Sequence, residues 1–306
     1  MSSGTSFIAQ LSVETYLDMT LTASRITEGV VRRFKRARRK LVRLNEAKIR
    51  EALESCGPFK TDLLLVHSSL SACGSIEGGP ETVISALRSW ITDRAALALP
   101  THTWSYPDAT GIAPVYDFRS TPSVVGTITN YYWNQPGVVR SLHPSHSIAV
   151  SGPGAEDLCR DHESRETPCG AGTPYLRIAE GNTSVLMFGA TMDSYTLFHT
   201  AEDAADVPYL YFPEQVTLRT RDANGVVKDV QMWRQDMSVA RRFEATADWL
   251  AEQGLLVRRK LGLGELLFIP SARALHECVV ETMRRDPLFL VDESHKEAQK
   301  QRMRSS

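Results

Sequence analysis

Cysteine is scarce: Cys56, Cys73, Cys159, Cys169 and Cys278 are odd in number, scattered over 306 residues and without a C-x-x-C spacing. That excludes a disulfide-stapled scaffold and a zinc ribbon, and predicts a reduced, cytoplasmic protein. Nowhere do about 18 apolar residues follow one another, so no membrane-spanning helix is expected. The first residues also lack the charged start, compact apolar run and small-residue cleavage site of a secretory signal. Charge of one sign is missing as well. Lys and Arg number 35 against 36 Asp and Glu, which leaves no global field to select nucleic acid or another polyion. Neither a G-x-x-x-x-G-K-S/T phosphate loop nor a G-x-G-x-x-G fingerprint occurs, and ATP and NAD lose support with them.

What is present is enough chain for a sizeable core and a regular alternation of elements. Strands are expected over 63–66, 95–99, 147–150 and 185–188, and helices over 80–90, 123–133, 238–253 and 271–284. Asn45 reads as the cap of a helix running to Leu53 and ending at Gly57-Pro58. The Asn224-Gly225 pair marks a hairpin between 216–218 and 226–230. The fold class that follows is α/β: an open mixed sheet with flanking helices and a late β-rich segment. Residues 1–45 are expected to be an extension and 293–306 a polar tail around a catalytic unit at 46–292. Within the extension, Arg32, Arg33, Lys35, Arg36, Arg38, Arg39, Lys40 and Arg43 alternate with Val30, Val31, Phe34, Leu41 and Leu44. That pattern suits an amphipathic helix packed on the body or on a second subunit, as in a homodimer.

Chemistry concentrates in 186–209, where an apolar strand leads through Gly189 to His199, Glu202, Asp203 and Asp206. If the segment after Gly189 is helical, His199 and Glu202 share a face, and an imidazole beside a carboxylate is the usual general base near neutral pH. The alternative is a packed histidine on a helix whose acids face solvent. His67-Ser68-Ser69-Leu70 follows a strand directly, where backbone N–H groups and small hydroxyls suit phosphate or amide oxygens; an ordinary serine-rich turn would look the same. The H-x-x-H of His143 and His146 is interrupted by Pro144 and lacks a third ligand, so no metal is expected there. His162 reads as a solvent-exposed loop residue.

Five segments in order, LLVHSSLSACG (64–74), LALPTHTWS (97–105), RSLHPSHSIAVSG (140–152), TPCGAGTPY (167–175) and the His199 stretch, resemble the aminoglycoside 3-N-acetyltransferase family. The resemblance covers roughly Lys48 to Leu290. It implies acetyl-coenzyme A as donor, a small-molecule amine as acceptor, and no nucleic acid or membrane partner. By the same resemblance His199 is the base, Asp108 or Glu202 orients it, Ser68, Ser69 and Leu70 together with Ser141, His143 and Ser145 hold the coenzyme, and Asp193, Asp203 and Asp206 meet a cationic substrate. Cys169 falls where the family has a non-nucleophilic residue and is read as packing. One departure stands out. Where aminoglycoside-modifying members place an acid in the late β segment, this chain has Trp233-Arg234-Gln235-Asp236. A biosynthetic amine as acceptor, or a non-catalytic scaffold, are the competing readings.

Overall fold

The computed structural model describes residues 38–305. Along them run β1 (Arg43–Leu44), α1 (Glu46–Glu54), β2 (Leu63–Ser68), β3 (Ser75–Ile76), α2 (Pro80–Ile91), β4 (Ala96–Pro100), β5 (Val115–Asp117), α3 (Thr127–Trp133), β6 (Val139–Arg140) and β7 (Ile148–Ser151). Next come α4 (Ala155–Cys159), α5 (Pro174–Glu180), β8 (Thr183–Phe188), α6 (Leu197–Ala204), β9 (Tyr211–Arg221), β10 (Val227–Gln235), α7 (Ala247–Glu252), β11 (Val257–Leu261), β12 (Gly264–Ile269), α8 (Ala272–Arg285) and α9 (Glu293–Ser305). A seven-stranded sheet has the order β11-β12-β8-β2-β4-β7-β6, and a three-stranded sheet the order β10-β9-β5.

The central strands are apolar throughout because both faces of the sheet are covered. Side chains alternate across a strand. Leu64, Val66, Leu97, Leu99, Leu186 and Phe188 therefore pack with α1, α2 and α3. Leu65, Ala96, Ala98, Val185 and Met187 pack on the other face with α5, α6 and α8. Strand β2 pairs in parallel with both β4 and β8, whereas the remaining pairs in the large sheet are antiparallel. The carboxyl ends of β2, β4 and β8 thus meet at one edge, the usual place for a site in an open α/β sheet.

At that edge Gly189 makes the turn out of β8 with φ +65°. A Cβ there would lie 2.7 Å from Cys73 Sγ and 2.9 Å from the Ser69 carbonyl oxygen. Gly189→Ala is expected to destabilise the protein by about 1–3 kcal/mol, from backbone strain and overpacking together. Denaturant unfolding measures it, and an unchanged midpoint would contradict the tight turn.

Several sequence expectations are corrected. The helix expected over 238–253 is a short 3-10 turn at Glu244–Thr246 running into α7. Asp236 accepts from the Ser238 backbone N–H and hydroxyl, a local alternative to helix formation. Gly126, at φ +124°, delays α3 to Thr127. The hairpin of β11 and β12 was not foreseen; it turns at Gly262, φ +58°. Residues 293–305 form a helix rather than a tail, its first turn held by Asp292 accepting from Ser294 N. The extension also ends earlier than Asn45. Arg43–Leu44 pairs with Ser75–Ile76 and Leu44 is buried, although Leu41 is exposed. The first half of the basic run, Arg32 to Arg36, lies outside the described residues.

Candidate active site

A cavity of about 690 Å³ opens at the shared strand edge. Its walls take Val66, His67 and Ser68 from the end of β2, and His102 and Trp104 from the loop after β4. Tyr195 and His199 come from the segment after β8.

His199 sits in the first turn of α6, its ring packed edge-on against Phe243 at 5.4 Å between centroids. Its Nδ1 lies 2.6 Å from Glu202 Oε2, the i+3 spacing that a helix places on one face. Glu202 is fully buried, and its other oxygen accepts from Arg241 Nε at 3.1 Å. Burial by itself would raise the Glu202 pKa, but the His199 hydrogen bond and the charges of His199 and Arg241 outweigh it and hold the carboxyl below its ordinary value. An ionised carboxylate only accepts, so Nδ1 is the donor to Glu202, and in the neutral imidazole the lone pair is then on Nε2. His199, Glu202 and Arg241 make a relay that fixes one tautomer.

Glu202→Ala would leave Arg241, whose side chain is only 4% exposed, as an uncompensated buried charge. The expected cost is about 3–5 kcal/mol, with a fall in turnover in whatever protein folds. Chemical denaturation and steady-state kinetics on the same preparation measure both, and a wild-type midpoint would contradict the buried pair.

The loop carrying Asp193 is clamped by two reciprocal hydrogen bonds. Asp193 Oδ1 accepts from Glu244 N at 2.9 Å, and Glu244 Oε2 accepts from Met192 N at 2.6 Å. Asp193 is exposed and reaches the cavity wall. Asp203 instead accepts from the Tyr211 hydroxyl away from the cavity, and burial raises its pKa despite that bond. Asp206 is exposed at the end of α6 with φ +52°. These two acids do not join His199 at the cavity.

Asp108 is likewise elsewhere, because it caps its own exposed turn. Its Oδ1 accepts from Thr110 N and Oγ1, which lowers its pKa, and the carboxylate beside the imidazole belongs to Glu202.

Of the expected coenzyme residues only Ser68 reaches the cavity wall. The Ser69 N–H is taken by the Phe188 carbonyl at 2.9 Å, and Leu70 packs on the core. Ser141, His143 and Ser145 are interior. Ser141 Oγ meets His162 Nδ1 at 2.9 Å, His143 Nδ1 accepts from His146 N at 2.9 Å, and Ser145 Oγ meets His146 Nδ1 at 2.9 Å. His162, expected in solvent, is buried beneath this loop, its ring 4.3 Å from that of His143. The Cys169 thiol is buried in the core and raised well above its ordinary pKa by that burial and by nearby Asp203 and Glu202.

Three cavity histidines, His67, His102 and His146, lie in segments the sequence singled out but were not among its candidate site residues. His67 and His102 are pushed down to about 3, mainly by burial, and His146 well below its usual value for the same reason. His102 Nε2 lies 3.0 Å from the Tyr175 hydroxyl, and its ring 4.7 Å from that of His146. His67 Nε2 and the Tyr195 hydroxyl, both on cavity residues, have no hydrogen-bond partner among the described residues. Strand parity offered one signal, since His67 shares the face of Leu65 at the end of β2; nothing local distinguished His146 from His143. Trp104, at φ +45° and 53% exposed, projects at the mouth, a strained backbone of the kind that clusters at functional sites.

A family model described as aminoglycoside 3-N-acetyltransferase matches residues 65–284. Aminoglycoside N(3)-acetyltransferase VIII of Streptomyces fradiae is 32% identical over 200 residues, 60% of this chain and 70% of that protein. Aminoglycoside N(3)-acetyltransferase III of a Salmonella species is 35% identical over 175 residues, so the matched segment spans 52% of this chain and 60% of that relative. A crystal structure of aminoglycoside acetyltransferase AAC(3)-IVa in complex with gentamicin superposes with a TM-score of 0.71 at 27% identity, covering 83% of this chain and 94% of that one. With the matched model spanning most of the sheet and the site, the chain belongs to the aminoglycoside 3-N-acetyltransferase family and is an acyltransferase.

Proposed function

We propose that the protein transfers the acetyl group of acetyl-coenzyme A to an amine of an aminoglycoside at the 3-N position, with His199 as general base. The carrying observation is the His199–Glu202–Arg241 relay at the wall of a cavity at the strand edge. Family membership supports the reaction and the donor, and a solved relative, AAC-IIIb, is bound to coenzyme A. When bound, acetyl-coenzyme A supplies the thioester carbon that accepts the nitrogen.

His199 Nε2 takes the amine proton as the N–C bond forms, and the same nitrogen returns it to the departing thiolate as the C–S bond breaks. Glu202 holds the imidazole in that tautomer and offsets its positive charge while it carries the proton. Ser68 and the unpartnered Tyr195 hydroxyl suit the oxygen that gains negative charge, since donors already fixed in place need no reorganisation there. Holding both reactants in one cavity removes the entropy cost of their encounter. Ser68 also suits contacts to the donor, and Asp193 to the acceptor ammonium.

The test is thiol release from acetyl-coenzyme A across a panel of aminoglycosides and simpler amines, with product mass confirming one added acetyl group. Absence of release with every amine would refute the reaction. A second reading, a non-aminoglycoside amine as acceptor, is favoured by Arg234, a cation on the cavity wall in the segment where aminoglycoside-modifying members carry an acid.

A further inference from the structure

Apart from the His199 relay and the tyrosine hydroxyls, the ionisable side chains on the cavity wall among the described residues are Asp193 and Arg234 together with His67, His102 and His146, whose imidazoles burial holds well below their ordinary pKa. Arg234 makes no ion pair among those residues. Its guanidinium lies instead over the rings of Phe212, at 4.7 Å, and Tyr106, at 5.5 Å. Aromatic faces hold the fork in place and leave its N–H donors free for a planar anion.

The backbone aims this side chain. Register between β10 and β9 shifts between Trp233 and Gln235, so Arg234 sits in an irregularity of the ladder. Opposite it, Pro213 has no N–H to contribute. Bulges of this kind redirect a side chain beside a site. Tyr106, Trp104 and Met237 supply an apolar rim around it. A second ammonium group placed here would meet a like charge. An anionic group would meet an unpaired guanidinium.

We infer that Arg234 forms an anion subsite of the catalytic cavity, which extends the acceptor range to amines with an apolar body and a carboxylate or phosphate. The inference rests on the acetyl-transfer reading for its meaning, since the amine of such a ligand would face His199 and Asp193 while its anion meets Arg234. The phosphates of coenzyme A offer the same chemistry from another source.

Calorimetry on the full chain at low salt separates them, using benzylamine, 4-(aminomethyl)benzoate and coenzyme A against wild type and Arg234→Met. Arg234 is exposed, so the variant is expected to fold. The benzoate should bind the wild type roughly tenfold more tightly than benzylamine, as one charge-assisted hydrogen-bonded pair allows. Arg234→Met should erase that preference and leave coenzyme A unchanged. A tenfold loss confined to coenzyme A, reduced when 3′-dephospho-coenzyme A replaces it, would keep the subsite and give it to the donor. Equal affinities for the two amines together with unchanged coenzyme A binding in the variant would overturn the inference. Thiol release is scored separately: if no amine is acetylated while the Arg234-dependent preference persists, the reaction is wrong and the subsite stands.

Discussion

His199→Ala is expected to lower turnover by roughly 10²–10⁴-fold while leaving coenzyme A affinity nearly unchanged, the usual effect of removing a positioned acid–base group. His199 reaches the cavity wall with Nδ1 committed to Glu202. The other three cavity imidazoles cannot substitute. They are buried, and two of them are tied to neighbouring hydroxyls, His102 to Tyr175 and His146 to Ser145. Truncating the ring also removes its contact with Phe243, but the loss is at a partly exposed position, so the variant should fold. The measurement is turnover at saturating substrates where chemistry limits the rate, with coenzyme A binding measured separately. Near-wild-type turnover in a folded variant would sink the assignment.

Acid should unfold the protein sharply, with most of its stability lost between pH 6.5 and about pH 5. Five histidines, His67, His102, His143, His146 and His162, are buried with pKa values pushed down chiefly by desolvation, three of them to about 3. In the unfolded chain each would titrate near 6.5. Between those values the unfolded state binds protons that the native state does not, so stability falls as pH falls below 6.5. At pH 5 each of His67, His102 and His162, held at about 3, costs about 2 kcal/mol, a loss that together is comparable to a domain's whole stability of about 5–15 kcal/mol, and His143 and His146 act in the same direction. Glu202 acts in the same direction lower down. Its folded pKa is depressed, so its contribution is present above its ordinary value of 4.5 and lost as pH drops through the folded one. Thermal melts by circular dichroism from pH 7.5 to 4.5 test this; a flat midpoint down to pH 5 would show that the histidines are solvated or charged in the native protein.

Much of this was legible in the chain itself. Apolar runs at 63–66, 95–99 and 185–188, too short for helices and bounded by turn residues, read as strands, and the periodicity of 80–90 and 271–284 marked two flanking helices. The His199–Glu202 pair was readable because both residues lie within one helical turn, where i,i+3 spacing alone sets their proximity. The reaction came only with the resemblance of five segments to a known family, not with spacing or periodicity.

The rest depended on contacts between residues far apart in sequence. Arg241, which completes the relay, lies 39 positions from Glu202 and carries no local sign of its partner. Whether a loop histidine faces a cavity or the interior was undecidable for His143 and His146, three residues apart on one irregular loop, because only the surrounding packing directs them. Asp108 was grouped with the site by resemblance, and Asp203 and Asp206 by the cationic substrate it implies, yet short-range bonds to Thr110 and Tyr211 and the exposed end of α6 take them elsewhere. Periodicity thus determined the central strands, two flanking helices and the proximity of His199 and Glu202. Tertiary packing decided which polar groups lie at the cavity, because burial and long-range hydrogen bonds, not spacing along the chain, set where a polar side chain points.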